Sequence, residues 1–286
     1  MSVIDTQTIT TGKGHKISAT FYSPDEEVKA AVLIVPAIGV SQDYYACFAE
    51  WLSSQGYLAV TFDYFGTGLS LSGKLRDVDV SVTDWAQDDC VAMVDASSGS
   101  APGKPLYWLG HSLGGQTLGL VKNRERITKA ITVASGSGYW RENSPQMKNR
   151  AWLLWYFVAP IATRLFGYFP GKRLNMVGDL PEGVIKQWRG WCLHPEYLIG
   201  VEGDKVRALF SSVTTPITSL SFTDDELMSE KNIDSLHGFY TDADKTMIRI
   251  SAEDIGEKRI GHFGFFNKRF KKTLWVSHLL PELGET

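Results

Sequence analysis

Cysteine is scarce in this chain. Cys47, Cys90 and Cys192 stand far apart, an odd number without the short paired spacings of a zinc site or a secreted disulfide framework. They predict a reducing, cytoplasmic setting. Neither sign of charge is in large excess: 29 Lys and Arg face 32 Asp and Glu, for a formal net charge of -3. That balance excludes the basic footprint of a nucleic-acid or polyanion binder. With only 21% charged and 43% hydrophobic residues among 286, the chain is not a disordered one. It can bury a full core as one large domain, or as one domain with an insertion. Long apolar runs are missing too. Residues 30–40 and 151–162 fall short of the roughly 20 residues a spanning helix needs, and Pro36 and Pro160 interrupt them. No transmembrane segment is expected. Residues 1–11 are polar and lack the basic start and apolar run of a secretory signal. P-loop, complete G-x-G-x-x-G and metal-ligand spacings are all lacking, so no nucleotide cofactor and no metal are expected. Internal repeats and low-complexity tracts are lacking as well.

What is present is alternation. Ala31, Val32, Leu33, Ile34 and Val35 form an apolar run stopped by Pro36, the pattern of a strand buried on both faces. Tyr44, Cys47, Phe48, Trp51 and Leu52 then recur at helical spacing and predict one apolar stripe on a helix ending near Gly56. Residues 58–62 read as a strand. Ser81 and Asp84 have capping-box spacing ahead of a second helical stripe at Ala86, Cys90, Met93 and Val94. Residues 106–109, 129–134, 217–222 and 247–250 are further strand candidates, and a helical segment to about Lys122 follows the first of them. Such alternation predicts an α/β fold with a mostly parallel central sheet and helices on both faces, because parallel neighbours need crossover connections.

The alternation breaks between about Tyr139 and Phe210. Of the chain's 9 Trp, 11 Tyr and 14 Phe, twelve fall within residues 139–198, where an even spread would place about seven. The reading is therefore a core of residues 1–138 and 211–286 carrying an insertion at 139–210.

Gly110-His111-Ser112-Leu113-Gly114 is the one match to G-x-S-x-G. So short a pattern also arises by chance, and its setting has to decide. A strand candidate runs straight into it and a helix-compatible segment follows, the strand-turn-helix setting of a nucleophile elbow. Flanking glycines suit such a turn because a Cβ there would strike the neighbouring strand and helix.

On these residues the chain resembles the α/β-hydrolase superfamily, in its lipase, esterase and serine-aminopeptidase-like branch with a Gly-His-Ser-x-Gly-Gly elbow. The resemblance covers about residues 15–135 and 210–280. Residues 63–70, Asp-Tyr-Phe-Gly-Thr-Gly-Leu-Ser, are similar to that branch's D-x-R-G-x-G-x-S loop, with Phe65 where arginine is usual. Pro36-Ala37-Ile38-Gly39-Val40 resembles a bacterial subgroup with Pro-Ala-x-Gly-Val after the third strand.

The resemblance implies an α/β-hydrolase fold with a helical cap at 139–210, and a serine, acid and histidine in that chain order. Ser112 would be the nucleophile. His262, in the loop Ile260-Gly261-His262-Phe263-Gly264 before a C-terminal helix, would be the base. His15 precedes the rest, His111 lies inside the elbow, and His237 and His278 read as packing or surface residues of helices. The acid should end a strand, and Leu220-Ser221-Phe222-Thr223-Asp224-Asp225-Glu226 supplies candidates. Laying Phe222 on the family's G-x-x-D glycine selects Asp225; with that glycine missing, Asp224 stays open. Oxyanion donors would be the backbone N–H of Leu113 and, where Pro36-Ala37 replaces the family's His-Gly pair, that of Ile38. Trp152, Trp155, Tyr156 and Phe157, with Phe166, Tyr168 and Phe169, either line a pocket or form the cap's own small core. Lys268, Arg269, Lys271 and Lys272 read as a solvated helix face.

The activity implied is that of a serine hydrolase acting on a small-molecule carboxylic ester or thioester with an apolar acyl part, without a cofactor. Acyl transfer on the same triad, or ligand binding without catalysis, are the alternatives. A peptidase would need an acidic patch for a free amine, and Glu142, Asp179, Glu182 and Glu196 are scattered. The oligomeric state is left open.

Overall fold

The structure, a computed structural model, describes residues 3–284; the polar N-terminal stretch and the outer core boundary thus have Met1 and Ser2, and Glu285 and Thr286, outside the described residues. Eight strands form one sheet: β1 (Val3–Thr10), β2 (Lys16–Ser23), β3 (Ala31–Val35), β4 (Leu58–Phe62), β5 (Leu106–His111), β6 (Lys129–Val133), β9 (Ile217–Phe222) and β10 (Lys245–Ile250). Two further short strands, β7 (Tyr168–Phe169) and β8 (Leu180–Pro181), make a separate antiparallel ribbon. The sheet order is β1-β2-β4-β3-β5-β6-β9-β10. From β4 to β10 every pairing is parallel, and β2 is antiparallel to both of its neighbours.

Parallel strands must be crossed over by helices, and helices cover both sheet faces here. Alternate residues therefore feed opposite layers. Leu33, Val35, Val60 and Trp108 enter one core; Val32, Ile34, Leu109, Ile131 and Val133 enter the other. This is the two-residue period of a pleated strand buried on both sides.

Local signals place most of the elements. The capping box of Ser81 and Asp84 forms, and Ala86, Cys90, Met93 and Val94 are all buried on the helix it starts. On the helix Ala46–Ser54, Phe48, Trp51 and Leu52 pack inward, but Tyr44 and Cys47 are exposed. The stripe is displaced because Tyr44 sits in a preceding 3-10 turn, Gln42–Tyr45, from which Tyr45 turns inward instead. After Ser112 the helix runs only from Leu113 to Gln116 before a 3-10 turn, Leu118–Leu120, so the segment to Lys122 is not one helix. The N-terminal hairpin of β1 and β2 and the β7/β8 ribbon are absent from the sequence reading.

Between β6 and β9 the chain leaves the sheet. It forms the helical stretches Pro145–Leu153, Leu154–Val158 and Ala159–Phe166, the β7/β8 ribbon, and the helices Glu182–Leu193, Tyr197–Glu202 and Asp204–Ser211. The last of these runs one residue past the expected boundary at 210. Hydrogen bonds tie this segment to the carboxyl end of the sheet: Gly178 N–H donates to Gly39 O at 3.0 Å, and Tyr197 Oη to Gln116 Oε1 at 2.7 Å. Cys47, Cys90 and Cys192 are unpaired. Among the described residues no helix is long and apolar enough to cross a membrane.

Candidate active site

Ser112 follows β5 directly and occupies φ 51, ψ -113. Such a conformation is costly for a residue with a Cβ and persists only when the surroundings over-determine it. Here they do. A Cβ on Gly110 would come within 2.5 Å of Gly115 N, and one on Gly114 within 2.1 Å of Val35 O, both backbone atoms. Only glycine lets the following turn pack against β3, and Trp108 Nε1–H then donates to the Gly114 carbonyl at 3.1 Å.

The loops after β9 and β10 bring acid and base to this turn. His262 Nδ1 lies 2.8 Å from Asp225 Oδ2, and His262 Nε2 lies 3.0 Å from Ser112 Oγ. An ionised carboxylate only accepts, so Nδ1 carries the proton and Nε2 is left to accept from the serine hydroxyl. Ser112, Asp225 and His262 are all buried. The three residues named from sequence thus stand in one hydrogen-bonded line.

Three consecutive acids divide the holding of the histidine loop. Asp225 takes the ring, while its Oδ1 accepts from Leu227 N at 2.8 Å and Met228 N at 2.9 Å. Asp224 does not reach the ring. Its oxygens accept from Ile260 N at 2.7 Å and Gly261 N at 3.0 Å. Glu226 Oε2 accepts from His262 N at 3.1 Å and pairs with Arg259 at 3.1 Å. Asp224 is therefore a backbone anchor, neither the imidazole's partner nor an idle solvated acid.

Sequence reasoning missed a second buried chain of bonds, on the other side of Ser112. Ala37 N–H donates to Tyr45 Oη at 2.9 Å, Tyr45 Oη lies 2.8 Å from His111 Nδ1, and His111 Nε2 lies 3.1 Å from the His262 carbonyl. That carbonyl can only accept, so Nε2 bears the His111 proton and the Tyr45 hydroxyl donates to Nδ1. Burial, with His262 nearby, pushes the His111 pKa down to about 3, so the ring stays neutral. Its placement inside the elbow was legible; its partners, from 66 to 151 residues away, were not.

The N–H groups of Ile38 and Leu113 have no acceptor among the described residues. Leu113 is the first residue of its helix, whose leading N–H groups lack intrahelical partners. Pro36 contributes its carbonyl, which accepts from Tyr64 Oη at 3.2 Å. In the loop of residues 63–70, Asp63 accepts from Gln42 N and Leu69 N, each at 2.8 Å, so this motif stiffens the turn beside Ile38. Phe65 stacks on His15 with ring centroids 3.9 Å apart.

The aromatic residues of the insertion divide. Trp155 is buried and meets Trp188 edge-on at 4.9 Å, in the same core cluster as Ile38 and Leu113. Trp152, Tyr156 and Phe157 are about half exposed. Phe169 is buried, while Phe166 and Tyr168 are partly so. His237 is a packing residue, its Nδ1–H donating to Ile233 O at 2.7 Å. Lys268, Arg269, Lys271 and Lys272 are exposed. Among the described residues one group could offer several metal ligands, His15, Asp88 and Asp89. Three of its four carboxylate oxygens are in use: Asp88 accepts from Thr11 Oγ1 at 2.5 Å and Lys13 N at 3.0 Å, and Asp89 Oδ2 from Phe65 N at 2.8 Å. The trio anchors the β1/β2 hairpin to the elements behind it.

Residues 26–173 match the family model described as serine aminopeptidase, S33. No curated protein matches the chain. Among solved structures, a soluble variant of monoglyceride lipase from Saccharomyces cerevisiae is 19% identical, with 88% of this chain and 86% of that one covered and a TM-score of 0.63. A cold-adapted esterase from an Arctic intertidal metagenomic library is 16% identical over 94% of this chain and 88% of that one, TM-score 0.55. The thioesterase domain from the curacin biosynthetic pathway is 19% identical over 87% and 94%, TM-score 0.52. At such identities the likeness is one of fold, and the eight-stranded sheet shares it. The family match spans more than half of the 286 residues, and the chain belongs to the serine aminopeptidase S33 family of the α/β-hydrolase superfamily.

Proposed function

We propose that the protein is a serine hydrolase that cleaves a carboxylic ester or thioester through an acyl-enzyme on Ser112. The observation that carries this is the buried line from Asp225 through His262 to Ser112, with bonds of 2.8 and 3.0 Å. Ser112 Oγ attacks the carbonyl carbon as His262 Nε2 takes its proton. Asp225 holds the tautomer and stabilises the imidazolium. The N–H groups of Ile38 and Leu113 receive the oxyanion, His262 returns the proton to the leaving group, and water activated by the same imidazole releases the acid.

The segment 139–210 acts as the cap on a core of residues 1–138 and 211–286. An apolar acyl part suits it, because the cluster holding Ile38 and Leu113 continues into the segment through Phe169, Leu180 and Trp191. The names of structural neighbours, a lipase, an esterase and a thioesterase, accord with an ester over a peptide. So do the acids an aminopeptidase would need for a free amine. Glu142 is held by Ser235 and Lys231, Asp179 by Lys172 N, Glu182 by Lys186 and Glu196 by Arg207.

A panel of nitrophenyl esters of rising chain length, run beside an aminoacyl anilide, tests this. Wild type should turn over the esters and label with a fluorophosphonate. Ser112→Ala should abolish labelling, and His262→Ala should lower kcat by about 10⁴ or more. Ester turnover that survives Ser112→Ala, or a preference for the anilide, would overturn the reading; acceleration by added alcohol with ester product would assign acyl transfer.

A further inference from the structure

The inserted segment holds an apolar face in water. The stretches Pro145–Leu153, Leu154–Val158 and Ala159–Phe166 follow one another as a single helix, the middle one a π turn. Its inner side is packed, with Ala151, Leu154, Trp155, Ala159 and Ala162 buried. Its outer side is apolar as well. Trp152, Leu153, Tyr156, Phe157, Ile161 and Leu165 are exposed by 46%, 48%, 49%, 49%, 55% and 74%, at the steps of four that bring side chains onto one helix face. Of sixteen exposed large hydrophobic residues among those described, eight fall within residues 152–176. Single exposed apolar residues are ordinary; a concentrated patch marks something that covers it.

Charge indicates what covers it. Residues 143–178 contain Lys148, Arg150, Arg164, Lys172 and Arg173 and no Asp or Glu, although the whole chain is at -3. Among the described residues none of the five forms an ion pair. A second copy is a poor occupant, because a two-fold interface sets the patch against itself and brings these unpaired cations together. A surface that is anionic in its outer layer and apolar beneath satisfies both features at once. Aromatic rings with polar tips and long cationic side chains are the residues that suit that boundary. No described helix is able to cross a membrane, so this one would lie in the plane of the interface.

We infer that the outward face of residues 145–166 docks on an anionic phospholipid bilayer, with its apolar side chains in the headgroup boundary and its basic residues against the phosphates. The docking does not depend on the hydrolytic reading. Co-sedimentation of the full chain with vesicles tests it, using phosphatidylcholine alone and phosphatidylcholine mixed with phosphatidylglycerol. The chain should pellet with the mixed vesicles, and added salt should release it. The double variant Ile161→Ser/Leu165→Ser should cut partitioning at least about ten-fold, and Arg150→Gln and Arg164→Gln about five-fold each. All four positions are on the exposed surface, so an unchanged melting temperature and unchanged fluorophosphonate labelling would show that the fold and Ser112 are intact. Three results would overturn the inference: no pelleting with either vesicle, equal pelleting with both, or a concentration-dependent dimer that the serine variants disperse.

Discussion

Asp224, Asp225 and Glu226 are neighbours in sequence with one chemistry and three tasks, which gives their substitutions different signatures. Asp225→Asn keeps the shape but puts a donor where the Nδ1 proton of His262 needs an acceptor, and should lower kcat by about 10⁴ with little change in stability. Asp224→Ala frees two backbone N–H groups of the histidine loop, and should cost roughly 1–3 kcal/mol in a urea melt and far less in kcat. If kcat fell more in Asp224→Ala than in Asp225→Asn, the acid role would move to residue 224. On the other flank, Tyr45→Phe deprives Ala37 N–H of its acceptor and His111 of its donor. Those atoms border the proposed oxyanion donor and the proposed base, so kcat should fall roughly ten- to a hundred-fold while KM holds. A change in KM alone would show that Tyr45 only packs. The meeting of Ser112 with His262 was legible in the sequence because the proposed chemistry demands their types, their order and, for serine, a glycine-bound turn. Tyr45, His111 and Glu226 act through backbone contacts across long loops, and no local pattern announces that.

Elements were legible where burial leaves a period. β3, β4 and β9 are buried along their whole length and read as short apolar runs. β1 is exposed nearly throughout, so its sequence carries no alternation, and it enters the sheet only through its pairing with β2. Helices drift for another reason. 3-10 turns at Gln42–Tyr45 and Leu118–Leu120 set off the ends of helices and shift the residues there off the helical spacing. The elbow is the element with least tolerance. Gly114→Ala places a methyl 2.1 Å from Val35 O, and neither strand nor turn can yield without moving Ser112. The variant should lose about 3 kcal/mol or more in denaturant unfolding, and any folded fraction should label poorly with a fluorophosphonate. Wild-type stability with full labelling would show that the turn is looser than its contacts imply.

For the molecule as a whole, buried titratable groups set how stability depends on pH, and they act in opposite directions. His111 and His237 are held neutral by burial, with pKa values pushed down from 6.5 to about 3 and about 4. Both must take up protons when the chain unfolds in acid, so the stability they contribute is present above pH 6.5 and lost as pH falls toward 4 and 3. Asp89 has the other sign. Burial, with the carboxylates of Asp88 and Asp84 close by and the Phe65 N–H and Lys13 opposing, raises its pKa from 3.8 to about 7. The folded chain keeps that proton over a range where the unfolded chain has released it. Stability from Asp89 is therefore full below about pH 4 and declines as pH rises through 7. Asp89→Asn removes the titration and retains an oxygen for the Phe65 N–H. Urea unfolding of the two proteins should give a difference that grows in favour of the variant by up to about 1.4 kcal/mol per pH unit between pH 4 and 7 and is flat above. The histidine contributions cancel in that difference because both proteins carry them. A difference independent of pH would mean that Asp89 stays ionised in the folded chain, with a cation held among His15, Asp88 and Asp89 as the first alternative, which adding a chelator to the same melts would expose.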